Sequence, residues 1–132
     1  MNPRSLALAA VLVIWSLAPA WAVTAVVTYG DSLDLDGKHV EIWGIIAPSK
    51  SETCTTAAGK SWPCGERAFD QLSQAASDET FACVDKEPGF VVCHAGGMDI
   101  GLLLVKEGLA RARQDYADAE SRAKEAKIGI WE

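Results

Sequence analysis

The carboxylates between Ser32 and Gly37 have a spacing that could bind a cation. Asp34 and Asp36 alternate with leucines and precede Gly37, so the segment briefly follows the loop of a calcium-binding EF-hand. The twelfth position of such a loop is Trp43, where that site needs a bidentate glutamate. Because Asp36-Gly37 is also a strong hairpin signal, the segment is predicted to form a strand and a turn.

Four cysteines, Cys54, Cys64, Cys83 and Cys93, could form disulfides or bind a metal. The cysteines that are close in sequence, Cys54 with Cys64 and Cys83 with Cys93, do not have the spacing of a zinc knuckle. The two histidines are not at ligand spacing from any of the cysteines. An even number of cysteines in an exported chain indicates two disulfides, for which the sequence allows three connectivities. The pairs lie in separate local units, and Cys83 and Cys93 are equally far from Pro88 in a predicted hairpin. The bridges Cys54–Cys64 and Cys83–Cys93 are therefore predicted.

The histidines and tryptophans are further candidates for chemistry or binding. His39 follows a turn and His94 ends a strand, and neither has a serine, cysteine or aspartate partner that the sequence can place. Both are interpreted as surface histidines. All three tryptophans of the exported part are expected to pack in the core or against loops, namely Trp43, Trp62 and Trp131. Trp62 lies on a long loop, however, and would be a binding anchor if its ring is exposed.

The N-terminus has the pattern of a secretory signal. A short basic start precedes an apolar run from Leu6 to Leu17, and Ala20-Trp21-Ala22 has the small-x-small pattern of a cleavage site. The run is shorter than the roughly 20 residues that span a bilayer. Cleavage of residues 1–22 is therefore favoured over a retained anchor. It would place residues 23–132 in the periplasm or outside the cell, without a membrane attachment.

The charge of the chain bears on its partners. The 132 residues have a formal net charge of −6, and removal of Arg4 with the signal would make it −7. Proteins that bind nucleic acids gain most of their affinity from a basic stripe, and the sequence contains no such stripe. The composition thus argues against a nucleic-acid partner, and the length suits a single domain.

Periodicity predicts the elements that would position these residues. Five strands are predicted, at 23–28, 32–35, 38–43, 80–84 and 90–93. Three helices are predicted, at 66–76, 100–107 and 116–127, the second capped by Asp99. A long loop covers 45–61, and Pro88-Gly89 sets a tight turn. This order predicts an α+β domain, a five-stranded OB-fold-type β-barrel with a helix between strands 3 and 4 and two C-terminal helices.

Five segments in order resemble the staphylococcal nuclease (thermonuclease) family, and the similarity covers nearly all of residues 23–132. The segments are residues 30–37, 40–48, 62–68, 96–110 and 129–131. No single segment is diagnostic, but the five together are typical of the family. The resemblance implies a phosphodiester-cleaving site built from two calcium-binding aspartates, a glutamate that works through a water, and two phosphate-binding arginines.

The matching positions keep little of that site. Asp31 matches one of the two calcium-binding aspartates. The first arginine is replaced by Glu41, the second aspartate by Ile46 and the glutamate by Ser49. The turn at 86–89 is too short for the element that carries the second arginine. Arginines that stabilise phosphoryl charge are worth about 10³ to 10⁵ in rate, and a missing carboxylate leaves a hard cation under-ligated. A non-catalytic domain that needs no cofactor is therefore expected.

Three functions remain open for such a domain. The favoured one is a binding or accessory module for an unknown ligand or envelope protein. It would act through the cleft that corresponds to the family's catalytic site or through the 46–61 loop, with Glu41 and Trp62 as binding candidates. The alternative is a calcium-dependent phosphodiesterase with residual or altered activity on DNA or RNA. The third is a structural or assembly role in an envelope or polysaccharide-export context.

Two acidic residues have competing interpretations. Asp31 is either a vestigial metal ligand or, the favoured interpretation, a turn residue that caps Gly30. Glu41 either pairs with Asp31 in one acidic cleft, where the pKa of one of them would rise, or, as favoured, faces solvent or meets a lysine.

Overall fold

A computed structural model describes residues 23–132 of the chain. The predicted signal peptide at 1–22 lies outside the described residues. Within 23–132, no helix combines the length and the apolar character that crossing a membrane requires.

Three antiparallel strands open the fold: β1 (Ala25–Tyr29), β2 (Ser32–Leu35) and β3 (Lys38–Ile42). Leu33 and Val40 face each other across β2 and β3 and are buried. Asp36 and Gly37 between them both have positive φ, 49° and 82°. That is the backbone of a type I′ hairpin turn, so the predicted meander and its turn are confirmed.

The predicted loop at 45–61 contains three short strands. They are β4 (Ile45–Ile46), β5 (Cys54–Thr55) and β6 (Ser61–Trp62). Strands β5 and β6 form a small antiparallel hairpin in which Cys54 is opposite Trp62. Strands of two residues give no periodic signal, which is why the sequence predicted only a loop here.

Helix α1 (Cys64–Ala76) begins two residues before its predicted start. The Cys54–Cys64 disulfide holds its first residue, and the backbone N–H of Gly65 donates to the carbonyl of Glu52 at 3.1 Å. This bond satisfies one of the amide groups that a helix N-terminus leaves without an intrahelical partner. The long-range contact replaces the local cap that sequence reasoning looks for.

The second half of the chain starts with the long hairpin β7 (Ala82–Glu87) and β8 (Phe90–Ala95). Only Pro88 and Gly89 lie between the two strands, and Cys83 is directly opposite Cys93. The elements that follow are β9 (Met98–Asp99), α2 (Ile100–Lys106), β10 (Arg111–Ala112), α3 (Ala117–Glu125) and a 3₁₀ turn (Gly129–Trp131).

The main sheet has the order β1-β2-β3-β8-β7, with β9 attached to β8. Strands β3 and β8 are parallel and bring Glu41 opposite Phe90, whereas the other neighbours are antiparallel. The α+β class is confirmed, as are the helix between the third and the next long strand and the two C-terminal helices. No ladder within 23–132 joins β7 to β1, so the sheet is open and a closed barrel is not formed by these strands.

The core lies between this sheet and helices α1 and α2. Its largest fully buried side chains include Leu33, Ile42, Leu72, Val91, Ile100 and Leu104. Helix α1 crosses β1 so closely that a Cβ on Gly30 would lie 2.6 Å from the Cβ of Ala68. Real Cβ atoms do not approach that closely, so the turn after β1 needs glycine to let the helix pack.

Candidate functional site

Asp31, the retained aspartate, is partly buried in the turn between β1 and β2. Its Oδ2 accepts a hydrogen bond from the backbone N–H of Ala47 at 2.8 Å, and its carbonyl accepts one from Ile42 at 2.7 Å. The carboxylate therefore fastens the segment after β4 to the first turn of the sheet. The favoured interpretation, in which Asp31 caps Gly30 in its own turn, named the wrong partner. Asp31 and Ala47 are sixteen positions apart, and a contact over that distance leaves no spacing signal in the sequence.

Glu41, Ile46 and Ser49 do not form one acidic or metal-binding centre. Glu41 is exposed on β3, and among residues 23–132 it forms no ion pair with a lysine or any other cation. Ile46 is 45% exposed on β4, opposite Arg111. In the described part of the chain, no group of three or more His, Cys, Asp or Glu side chains is placed to hold a metal ion.

Ser49 belongs to a turn that packs against the start of α1. Its backbone N–H donates to Glu52 Oε2 at 3.1 Å, and its carbonyl accepts from the N–H of Glu52 at 2.8 Å. A Cβ on Gly65 would lie only 1.8 Å from the Ser49 carbonyl oxygen. The Ser49 backbone thus has a packing role.

Trp43 and Trp131 pack against neighbouring parts of the fold. Trp43 Nε1 donates to Asp115 Oδ2 at 3.0 Å, and its ring meets Phe90 edge to face with 5.8 Å between the centroids. Lys124 Nζ lies 4.5 Å from the centre of the Trp131 ring. Both rings therefore pack against neighbouring elements, which confirms the expectation for Trp43 and Trp131.

His39 has a partner that the sequence interpretation missed. Its Nδ1 lies 3.0 Å from Asp34 Oδ1, because β2 and β3 place the two residues directly opposite each other. Their equal distance from the Asp36-Gly37 turn is a signal that could have identified the pair. The His39 side chain is exposed, and that of Asp34 is partly accessible to solvent. His94 is exposed, as predicted.

Trp62 is partly buried and lines a cleft of about 780 Å³, here called the Trp62 cleft. The β5–β6 hairpin supplies Thr56, Lys60 and Trp62 to one wall. Helix α1 supplies a second wall through a polar face that repeats at helical spacing, Arg67, Asp70, Gln71 and Gln74. The third wall comes from the chain after α2 and from the C-terminus, with Glu107, Leu109, Ile128 and Glu132.

Both predicted disulfides are present, and one of them shapes the Trp62 cleft. Cys83–Cys93 joins neighbouring strands, whereas Cys54–Cys64 joins the β5–β6 hairpin to the first residue of α1, with 5.6 Å between the Cα atoms. Since Cys54 is opposite Trp62 in the hairpin, this bridge fixes the tryptophan beside the polar face of the helix. The disulfides are consistent with an exported protein.

Charged groups of both signs surround the Trp62 cleft. They are Lys60, Arg67, Asp70, Glu107 and Glu132. Within residues 23–132, none of their side chains forms an ion pair or a hydrogen bond with the protein. Glu107 is partly buried, and burial raises the pKa of its carboxyl group. These groups are therefore available to a ligand.

A second groove, of about 710 Å³, lies between α2 and α3 beside Tyr116. The Tyr116 hydroxyl donates to Asp99 Oδ2 at 2.7 Å, while Asp99 Oδ1 accepts from the N–H of Leu102 and caps α2 as predicted. Burial first, and then the bond to Asp99, raises the pKa of Tyr116. No spacing in the sequence indicates this tyrosine–aspartate pair, which holds the two helices together.

Comparison with known proteins gives one functional clue. No protein-family model matches the chain. The chain is similar to the succinoglycan biosynthesis protein ExoI of Rhizobium meliloti (strain 1021), with 31% identity over 114 residues. The similarity covers 77% of this chain and 60% of that protein, so the chain spans less than two thirds of its relative.

Proposed function

We propose that this protein is an exported, staphylococcal-nuclease-like domain that acts as a non-catalytic binding module. The observation that carries the proposal is the contact of Asp31. The one catalytic-type carboxylate that the resemblance retains accepts a hydrogen bond from the backbone of Ala47, and the residues at the other matched positions do not complete a metal site around it.

The strand order supports the family part of the proposal. An OB-type fold is a five-stranded Greek-key barrel that is partly open. Here the long strands follow the order first, second, third, fifth, fourth, with a parallel contact between the third and the fifth. A helix follows the third strand. We assign the sheet to this type, left open between β1 and β7.

The electrostatics of the matched positions support the non-catalytic part. A nuclease must stabilise negative charge that develops on a phosphorane, which requires cations around the phosphate. Glu41 puts a negative charge on the exposed face where the family has an arginine, and β7 and β8 are joined by only two residues, Pro88 and Gly89. Both features oppose phosphate binding at this place.

The relative supplies a biological context for the module. That protein is named for the biosynthesis of succinoglycan, and we place the present chain in the assembly or export of a surface polysaccharide. A polysaccharide context agrees with the acidic net charge better than a nucleic-acid partner does, because nucleic-acid binding depends on basic surfaces.

Calcium binding distinguishes this proposal from the nuclease alternative. In calorimetric titrations of the exported protein, we expect no calcium site tighter than about millimolar, the weak end of the range for proteins. Asp31→Asn is the matched variant, since it keeps an oxygen acceptor for Ala47. A micromolar site that disappears in this variant would favour the calcium-dependent phosphodiesterase instead.

A further inference from the structure

The Trp62 cleft has the dimensions and shape of a ligand site. Small-molecule sites are concave, with volumes of about 300 to 1,000 Å³, and this cleft measures about 780 Å³. Its walls come from three separate parts of the chain, the disulfide-bonded hairpin, α1 and the C-terminal segment. Because the disulfide fixes the hairpin on the helix, Trp62 is held in place before any ligand arrives, which lowers the entropy cost of binding.

The cleft combines an aromatic ring with polar groups of both kinds. The indole of Trp62 offers an apolar face for stacking. The side-chain amides of Gln71 and Gln74 each carry a donor and an acceptor, and Arg67 and Glu107 add a strong donor and a strong acceptor. Hydroxyl groups both donate and accept hydrogen bonds, so this set matches a ligand that presents many hydroxyls around an apolar ring face.

The charge of the cleft excludes a polyanion as its preferred ligand. Two basic and three acidic side chains line it, whereas sites for phosphate chains or nucleic acids are strongly basic. The ionisable side chains are not neutralised by one another through ion pairs within residues 23–132. They can therefore hydrogen-bond a neutral polar ligand without losing an existing protein contact.

From these observations we infer that the Trp62 cleft binds a short segment of neutral oligosaccharide, with one sugar ring stacked on Trp62 and its hydroxyls bonded to the polar face of α1. This inference rests on the proposed function and identifies the class of ligand that the binding module takes. None of the residues at the positions that match the nuclease site lines this cleft.

Nuclear magnetic resonance of the exported protein tests the inference. The described chain has three tryptophans, Trp43, Trp62 and Trp131, so the indole signal of Trp62 can be assigned by its loss in Trp62→Phe. The probes are neutral trisaccharides, namely cellotriose, laminaritriose and β-1,4-galactotriose, each raised to about 10 mM to reach weak affinities. We expect at least one of them to shift the Trp62 indole signal and the side-chain amide signals of Gln71 and Gln74, with saturation.

Variants show whether the shifts report on the Trp62 cleft. Trp62→Ala is expected to weaken binding at least about tenfold, as for a central aromatic contact. Gln74→Ala, at an exposed helix position where folding is preserved, is expected to weaken it several-fold. Tyr29→Ala removes an exposed aromatic side chain that does not line the cleft, 52% accessible in the wild type, and should leave affinity unchanged.

Two results would overturn the inference. One is the absence of saturable shifts of cleft signals with all three trisaccharides, and the other is binding that Trp62→Ala and Gln74→Ala leave intact. A nucleic-acid cleavage assay on the same sample separates this failure from that of the proposed function. Loss of saccharide binding without cleavage refutes only the ligand class, whereas calcium-dependent cleavage refutes the non-catalytic function.

Discussion

Replacing Asp31 with alanine would remove the carboxylate that joins the β1–β2 turn to the segment after β4. The bond from the N–H of Ala47 to Oδ2 is 2.8 Å long and partly buried. Hydrogen bonds to charged groups contribute about 1.5 to 3 kcal/mol, and truncation leaves the amide without its partner. We therefore expect Asp31→Ala to lower the free energy of unfolding by about 2 kcal/mol. Asp31→Asn, which keeps an oxygen acceptor, should lose about half as much.

Urea denaturation followed by circular dichroism measures this effect. With a denaturant slope of about 1.5 kcal/mol/M for a domain of this size, Asp31→Ala should lower the midpoint by roughly 1 M. Asp85→Ala is the matched control, since Asp85 is an exposed strand residue with no side-chain partner in the described chain, and it should change stability by less than about 0.5 kcal/mol. If Asp31→Ala matched this control, or if calcium stabilised the wild type but not the variant, the structural role assigned to Asp31 would be wrong.

Three further predictions concern the framework of the Trp62 cleft. Gly65→Ala should lower stability by about 2 kcal/mol despite the better helix propensity of alanine, because its Cβ would lie 1.8 Å from the Ser49 carbonyl; a stabilised variant in urea denaturation would contradict this contact. Replacing Cys54 and Cys64 with alanine should lower the free energy of unfolding by about 3 kcal/mol through loop entropy. Removing the Cys83–Cys93 bridge should cost the same, since both bridges have a sequence separation of 10. Unequal urea midpoints of the two variants would show that burial of the cysteines dominates. Burial raises the pKa of Glu107 in the folded state. Above that pKa the carboxylate is ionised in a partly buried place, which lowers the stability of the fold. Glu107→Gln should therefore be more stable than wild type at neutral pH, and this advantage should vanish as the pH falls through the raised pKa. Denaturation curves at neutral pH and at a pH below the raised pKa measure the difference.

Local signals in the sequence predicted most of the main elements. The Asp36-Gly37 turn fixes the register of the first hairpin. In the second hairpin, an irregularity between Asp85 and Glu87 shifts the register set by Pro88-Gly89 by one residue, and this shift places Cys83 opposite Cys93. Asp99 caps α2 with its own side chain, three residues from the amide that it accepts. Each of these features depends on residues within a few positions of one another, so spacing alone reveals it.

Contacts between distant segments could not be predicted in the same way. The early start of α1 depends on Cys64 and on a bond from Gly65 to Glu52, and the pairing of β4 with β10 joins segments 65 positions apart. The partner of Asp31 and the three walls of the Trp62 cleft are of the same kind. The place of Trp62 on a loop identified it as a candidate, but only the folded structure shows that the polar face of α1 lies beside it.

Cleavage of nucleic acid is the most direct test of the non-catalytic reading of this domain. Protein comprising residues 23–132 is incubated with plasmid DNA and with RNA in the presence of calcium. An active staphylococcal nuclease is the positive control, and Asp31→Asn is the matched variant. We expect the wild type and the variant to show the same background as a sample without protein, because metal, water and phosphate contacts act as a unit in such sites. Calcium-dependent digestion by the wild type that Asp31→Asn abolishes would contradict the account and establish the phosphodiesterase alternative.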